Sequence, residues 1–309
     1  MPITLFEPFR AVFYTPFYLP FALGTYADER LDVRLAKPDQ HGAAAQDLID
    51  GKADVIWSGP MRLMQFHDRD PNCPIVGFCE VVTRDPFFLI GRRPNADFAF
   101  PQLAELHLAT VSEVPTPWMC LQEDIRRAGV DPGSLRRTDS RTMAENVAAL
   151  RAGEVDVIQV FEPFVEELVA SGEGHIWYAA ADRGPTTYTT LITTKRTILS
   201  DPETLHRMAR AIYRCQLWLH DRSAGEVAAA VSAYFPDMTD DVLAGAIDRY
   251  QRLGIWGGDP RLPVSGFVRL KLGLLSGGFI RRDVPFEACV DNSFAAQVMA
   301  EAPSPPDTT

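Results

Sequence analysis

The hydrophobic pattern of this chain states one motif twice. Leu48-Ile49-Asp50-Gly51-Lys52-Ala53-Asp54-Val55-Ile56-Trp57 returns as Leu150-Arg151-Ala152-Gly153-Glu154-Val155-Asp156-Val157-Ile158-Gln159, at an offset of 150 − 48 = 102 residues. In each copy an apolar-faced helix stops at a glycine, which can take the left-handed conformation that closes a last turn. A short apolar run follows, as expected of a strand buried on both faces of a parallel sheet. Helix, stop and buried strand are the second half of a βαβ unit, so the repeat predicts two α/β lobes of similar build. Ligands in such sheets bind beyond the carboxyl ends of the strands. Trp57-Ser58-Gly59 and Gln159-Val160-Phe161-Glu162 are therefore the first stretches to consider.

The remaining pattern fills in around the repeat. Ile3-Thr4-Leu5 reads as a first strand, followed by an aromatic loop from Phe6 to Tyr18 and a helix over 17–23. Leu31 to Leu35 alternates apolar and polar, the period of a strand. Apolar runs at 74–79 and 87–91 flank a polar segment, which places a crossing between the lobes there. Leu106 to Thr110 opens the second lobe, and a helix is expected from Pro117 to Ala128, with proline in its first turn. Helices are also expected over 143–152 and 163–170, and Tyr188 to Thr194 is a β-branched return strand. The spacing then turns helical over 202–220, 224–234, 240–253 and 264–275. The end of the chain, from Ala302 to Thr309, is rich in Pro, Ser and Thr and is expected to be disordered.

Composition narrows the partners. A net charge of −11 argues against nucleic acid and anionic membranes, which need a basic face. No apolar run approaches the ~20 residues of a membrane helix, so no membrane insertion is expected. Met-Pro-Ile-Thr-Leu-Phe-Glu lacks a basic segment followed by an apolar one and does not read as a signal peptide. The compartment stays open: periplasmic if a leader was removed, cytoplasmic if Met1 is the native start. The five cysteines are scattered, and the six histidines include no pair at metal-ligand spacing on one helix. No nucleophile elbow, P-loop or dinucleotide fingerprint is present, so no catalytic residue, metal or cofactor is expected.

The order of elements resembles the type II periplasmic solute-binding proteins of ABC importers, in the group that takes up alkanesulfonates, taurine, nitrate and thiamine-pyrimidine precursors. The residues that carry the resemblance are Leu31-Asp32-Val33 in the second strand and Leu48-x-x-Gly51-x-x-Asp54. Leu150-x-x-Gly153-x-x-Asp156 followed by Phe161-Glu162-Pro163 completes the set. The resemblance implies an α/β, two-lobed type II periplasmic-binding-protein fold. Each lobe would be a mostly parallel sheet flanked by helices, with two crossings and a helical C-terminal third. Residues 1–84 plus 190–300 would form lobe 1, residues 87–186 lobe 2, and 301–309 a tail. A small-molecule ligand and an ABC permease are the implied partners. Thiamine-pyrimidine synthases share this fold, but where they carry a lysine, a histidine and a cysteine cluster this chain has Ser58, Arg62 and Pro185-Thr186-Thr187-Tyr188-Thr189.

Candidate ligand residues follow from position, and each has a structural alternative. Trp57 and Trp118 lie at strand-to-helix junctions and are expected to clamp a solute from opposite lobes, though either could be a core tryptophan. Ser58 and Gly59 offer a hydroxyl and close backbone approach, or a plain helix cap. Ser112 opens the loop before Trp118 and could face the cleft. Glu162, near Gln159 and Phe161, could read a polar edge or merely favour a helix start. Arg10 could pair with a carboxylate or sulfonate, although a surface role is commoner. Tyr14, with Phe9, Phe13 and Phe161, could form an aromatic wall, and Tyr188 heads the return strand. The expected function is a non-enzymatic binding protein that closes on a small organic solute, planar or sulfonate-like. The alternative is a cytoplasmic enzyme or ligand sensor acting on a small aromatic or heterocyclic compound.

Overall fold

The computed structural model describes residues 2–40 and 42–307. Met1, His41 (one of the six histidines) and the end of the tail at Thr308 and Thr309 lie outside the described residues. The strands are β1 (Ile3–Phe6), β2 (Val33–Ala36), β3 (Val55–Ser58), β4 (Ile75–Val82), β5 (Phe88–Gly91), β6 (Leu108–Ala109), β7 (Arg137–Thr138), β8 (Val157–Val160), β9 (His175–Ala179) and β10 (Thr189–Thr194). They form two five-stranded sheets, ordered β2-β1-β3-β10-β4 and β7-β6-β8-β5-β9. The two orders are the same pattern. Three parallel strands come first, then one antiparallel strand, then an edge strand. The chain passes from the first sheet to the second after β4 and returns before β10, which makes two crossings.

The sequence repeat now has a structural meaning. Its two copies end in β3 and β8, the third strand of each sheet, each lying beside the antiparallel strand. The repeated aspartates do the same work in both lobes. Asp54 Oδ2 accepts from the Thr4 amide at 2.8 Å and Asp156 Oδ2 from the His107 amide at 2.9 Å. Each carboxylate thus clips the start of the third strand to the parallel strand beside it. The repeated glycines adopt φ of +77° at Gly51 and +74° at Gly153. A side chain there meets steric conflict with the backbone, so Gly153→Ala should cost about 1–2 kcal/mol, measured as a lower midpoint in urea. Gly153→Asn, which tolerates this region better, should recover part of the loss.

The helical C-terminal third braces both lobes. The Pro202–His220 helix packs on the Thr15–Ala22 and Ser293–Ala300 helices beside the first sheet. The Val264–Ser276 helix lies against both the Pro60–Arg69 helix of the first lobe and the Thr116–Arg127 helix of the second. Sequence pattern had not resolved the helices at Pro60–Arg69, Lys195–Ser200 and Ser293–Ala300, nor the short strands β7 and β9. Within the expected tail, the Ser304 carbonyl accepts from Arg214 Nε at 3.1 Å and Pro306 is buried.

Candidate functional site

A cleft opens where the carboxyl ends of β1 and β3 face the loop after β6. It holds about 720 Å³ of empty volume, its open mouth included. The loop after β1 supplies Phe9, Phe13 and Tyr14, and the end of β3 supplies Ser58 and Gly59. Arg62 comes from the first turn of the next helix, Glu113 to Thr116 from the opposite lobe, and Phe87 and Tyr188 from the crossings. Gly59 is where close approach matters: a Cβ there would stand 3.2 Å from the Tyr188 carbonyl, so the return crossing packs directly over it. The wall is largely aromatic, with ring centroids 4.3 Å apart for Phe13 and Tyr14 and 6.1 Å for Phe13 and Tyr188.

Two polar features stand out in this apolar wall. The phenols of Tyr14 and Tyr188 are pushed up by burial, so both remain neutral hydrogen-bond donors at physiological pH. Arg62 is partly buried, and its Nη1 donates to Gln65 Oε1 at 2.8 Å. Among the described residues no carboxylate lies within ion-pair distance of it. Burial, with a smaller push from Arg69, lowers its affinity for the proton, yet a guanidinium stays charged at neutral pH. Glu113, across the cleft, already receives the Met143 amide on Oε1 at 3.0 Å and on Oε2 at 3.2 Å.

A second cavity, of about 890 Å³ with its mouth, adjoins the first and shares Phe9, Glu113 and Val114 with it. Arg10, Phe161 and Glu162 line it, together with Met143, Phe164 and Met238. Its charges are internally matched. Arg10 Nε and Nη2 donate to Glu7 at 2.8 and 3.0 Å, and its Nη1 donates to the Tyr234 carbonyl. Glu162 has no solvent exposure; it is paired with Arg249 and accepts from the Glu166 amide at 2.8 Å. Arg249, on the Asp240–Leu253 helix, also holds Glu166 at 2.7 Å, so this helix is tied to the second lobe by two carboxylates.

The expected site is thus only partly brought together. Tyr14, Ser58, Gly59 and Tyr188 line the first cavity, and Arg10, Phe161 and Glu162 line the second. Trp57, Ser112, Trp118 and Gln159 line neither. β3 runs one residue past Trp57, which sits opposite Leu191 inside the ladder and stacks on Phe17 at 4.9 Å and 13°. It is a core residue, not a clamp. Trp118 carries the Arg137 guanidinium 4.2 Å above its ring and packs with the apolar cluster under the second sheet. Gln159 is buried in β8, donating to the Pro117 carbonyl at 3.0 Å, and Ser112 is exposed, its amide bonded to the Arg141 carbonyl. Arg10 and Glu162 hold charged partners within the protein, Glu7 and Arg249. Sequence reasoning did not propose Arg62, Phe87 or Thr116 as ligand residues, although Arg62 stood out where the thiamine-pyrimidine synthases carry a histidine. The signal for Arg62 was its place in the first turn after the repeated strand, directly behind Ser58-Gly59-Pro60.

Known proteins agree with this architecture. The model of the NMT1-like family matches residues 92–233. YtlA of Bacillus subtilis (strain 168), named as a candidate binding protein, is 23% identical over 300 residues, spanning 96% of this chain and 89% of its own. The periplasmic aliphatic sulphonate binding protein SsuA from Escherichia coli superposes with a TM-score of 0.75 at 11% identity, over 94% of this chain and 92% of that one. The desulfurization enzyme DSZB superposes with a TM-score of 0.69 at 13% identity, over 98% and 99%. The fold is that of the type II periplasmic binding proteins, and the resemblance covers nearly the whole chain. Both carriers and an enzyme occur among its structural relatives.

Proposed function

We propose that this protein is a solute-binding protein of the ABC-import kind whose two lobes close on a small organic anion. The observation that carries the proposal is Arg62: a charged guanidinium lining an aromatic cleft without a carboxylate partner among the described residues. A carboxylate or sulfonate would supply the missing counter-charge through paired N–H donors, and the neutral phenols of Tyr14 and Tyr188 add donors beside it. Phe9, Phe13 and Phe87 offer faces and edges for a planar or apolar body. The cleft draws on both lobes, so a bound solute favours the closed arrangement by touching both. The implied partner is an ABC permease. No helix among the described residues is long and apolar enough to cross a membrane.

An enzyme on the same fold is the second reading, favoured by the likeness to DSZB. The chemistry of the cleft supports it less. All five thiols are buried and none lines either cavity. Burial pushes Cys120, Cys215 and Cys289 up to about 12, which suppresses the thiolate a nucleophile requires.

Thermal-shift and calorimetric titration with benzoate, benzenesulfonate and butanesulfonate test the binding reading. An anion at ~100 times its dissociation constant should stabilise the fold by about 2.7 kcal/mol. Arg62→Gln removes a charged hydrogen bond of about 1.5–3 kcal/mol, so affinity should fall roughly tenfold to a hundredfold while the unliganded melting point holds. Unchanged binding in Arg62→Gln would contradict the proposal.

A further inference from the structure

We propose that the second cavity is an extension of the same site and receives an apolar chain or ring attached to the anion held at Arg62. The inference rests on the anion reading of Arg62 and adds to it the shape of the rest of the ligand. Three observations carry it. The cavities meet at Phe9, Glu113 and Val114, which line both. The second is walled by Met143, Phe161, Phe164 and Met238, soft and aromatic surface that gains by covering hydrocarbon. Its charged groups are already engaged, Arg10 with Glu7 and Glu162 with Arg249, so neither attracts the anionic head away from Arg62.

The geometry also says how such a ligand would lie. Phe9 stands between the cavities, its ring nearly parallel to that of Phe161 at 6.4 Å. Phe9 follows β1 in the first lobe, and Phe161 follows β8 in the second. A chain running past Phe9 would touch both lobes along its length. Head and extension would then each favour closure, and the pair of cavities would discriminate against small inorganic anions, which can fill only the first.

The test is a titration series of ethane-, butane-, hexane- and octanesulfonate, by calorimetry, against the wild type, Arg62→Gln, Met238→Asp and Phe164→Ser. Met238 and Phe164 are only partly buried, so these changes leave the fold intact, which the unliganded melting curve checks. Each methylene that enters the second cavity should tighten binding by up to about fourfold. Binding of ethanesulfonate should be unchanged in Phe164→Ser, while the added carboxylate of Met238→Asp should weaken every anion alike; the gain from the longer chains should disappear in Met238→Asp and shrink in Phe164→Ser. If ethanesulfonate binds through Arg62 but affinity is flat with length, the extension is overturned and the anion reading stands. A length dependence that survives unaltered in both cavity variants would also overturn it. If no member binds, or all bind Arg62→Gln as tightly as the wild type, the anion reading falls and the extension falls with it.

Discussion

Replacing Arg183 with methionine should cost about 3–5 kcal/mol of folding stability. Arg183 lies in the second crossing with its side chain 6% exposed, and the side chain of Asp85, in the first crossing, has no exposure at all. Arg183 Nη1 donates to Asp85 Oδ2 at 3.0 Å, and its Nε donates to Asp124 of the Thr116–Arg127 helix at 2.9 Å. The Tyr178 hydroxyl completes the group, donating to Asp124 at 3.0 Å. One guanidinium therefore ties both crossings to the second lobe. Methionine fills similar space but leaves two carboxylates without their counter-ion. Burial already raises the Asp85 pKa, with Arg183 opposing it. Without Arg183 only the Phe87 amide still opposes that rise, so the variant's stability should be best at acid pH, where Asp85 is protonated, and should decline as pH increases. Urea unfolding across the acid-to-neutral range checks both parts. A loss below about 1 kcal/mol at neutral pH would mean that the network adds little beyond packing.

How much of this was legible beforehand depends on what each position needed. The repeat at Gly51 and Gly153 could be read because a left-handed helix stop and a doubly buried strand leave strong local marks. The order of the strands within each sheet was not read from the sequence; it is set by pairings between distant segments. Side-chain direction was harder. Trp57 looked like the last residue of its strand, and one further residue of pairing at Ser58 moved it from the mouth of the cleft into the core. Arg10 and Glu162 line a cavity, and their charged groups are met by partners that local pattern does not show, Glu7, Tyr234 and Arg249. Tyr234 and Arg249 lie more than eighty residues away, beyond the reach of local pattern. Arg62 shows the converse: what sets it apart is the lack of a carboxylate partner among the described residues, and an absent neighbour leaves no trace in sequence.

A second large effect is expected at Glu80, and it concerns pH. Glu80 lies in β4, an edge strand whose outer side is covered by the segment around Ile255–Pro260. Its backbone is satisfied, the amide donating to the Pro260 carbonyl at 2.8 Å and the carbonyl receiving Gln216 Nε2 at 3.0 Å. The carboxyl group is wholly buried, and neither oxygen has a well-directed hydrogen bond. Burial raises its pKa well above 4.5, the Asp259 charge adds to the rise, and the nearby Thr187 hydroxyl opposes it only in part. The folded protein therefore keeps a proton on Glu80 that the unfolded chain has released. Stability from this group is full below the unfolded pKa and is lost as pH climbs towards the folded value, by about 1.4 kcal/mol per pH unit. Glu80→Gln keeps the shape and cannot ionise, so it should remove that slope. The informative quantity is the difference in unfolding free energy between variant and wild type at pH steps upward from about 5, just above the pKa of a free glutamate. The variant should gain on the wild type with each step upward, whatever the offset at the acid end. Parallel profiles would mean that Glu80 is already ionised in the folded protein, with solvent or a cation reaching its carboxylate.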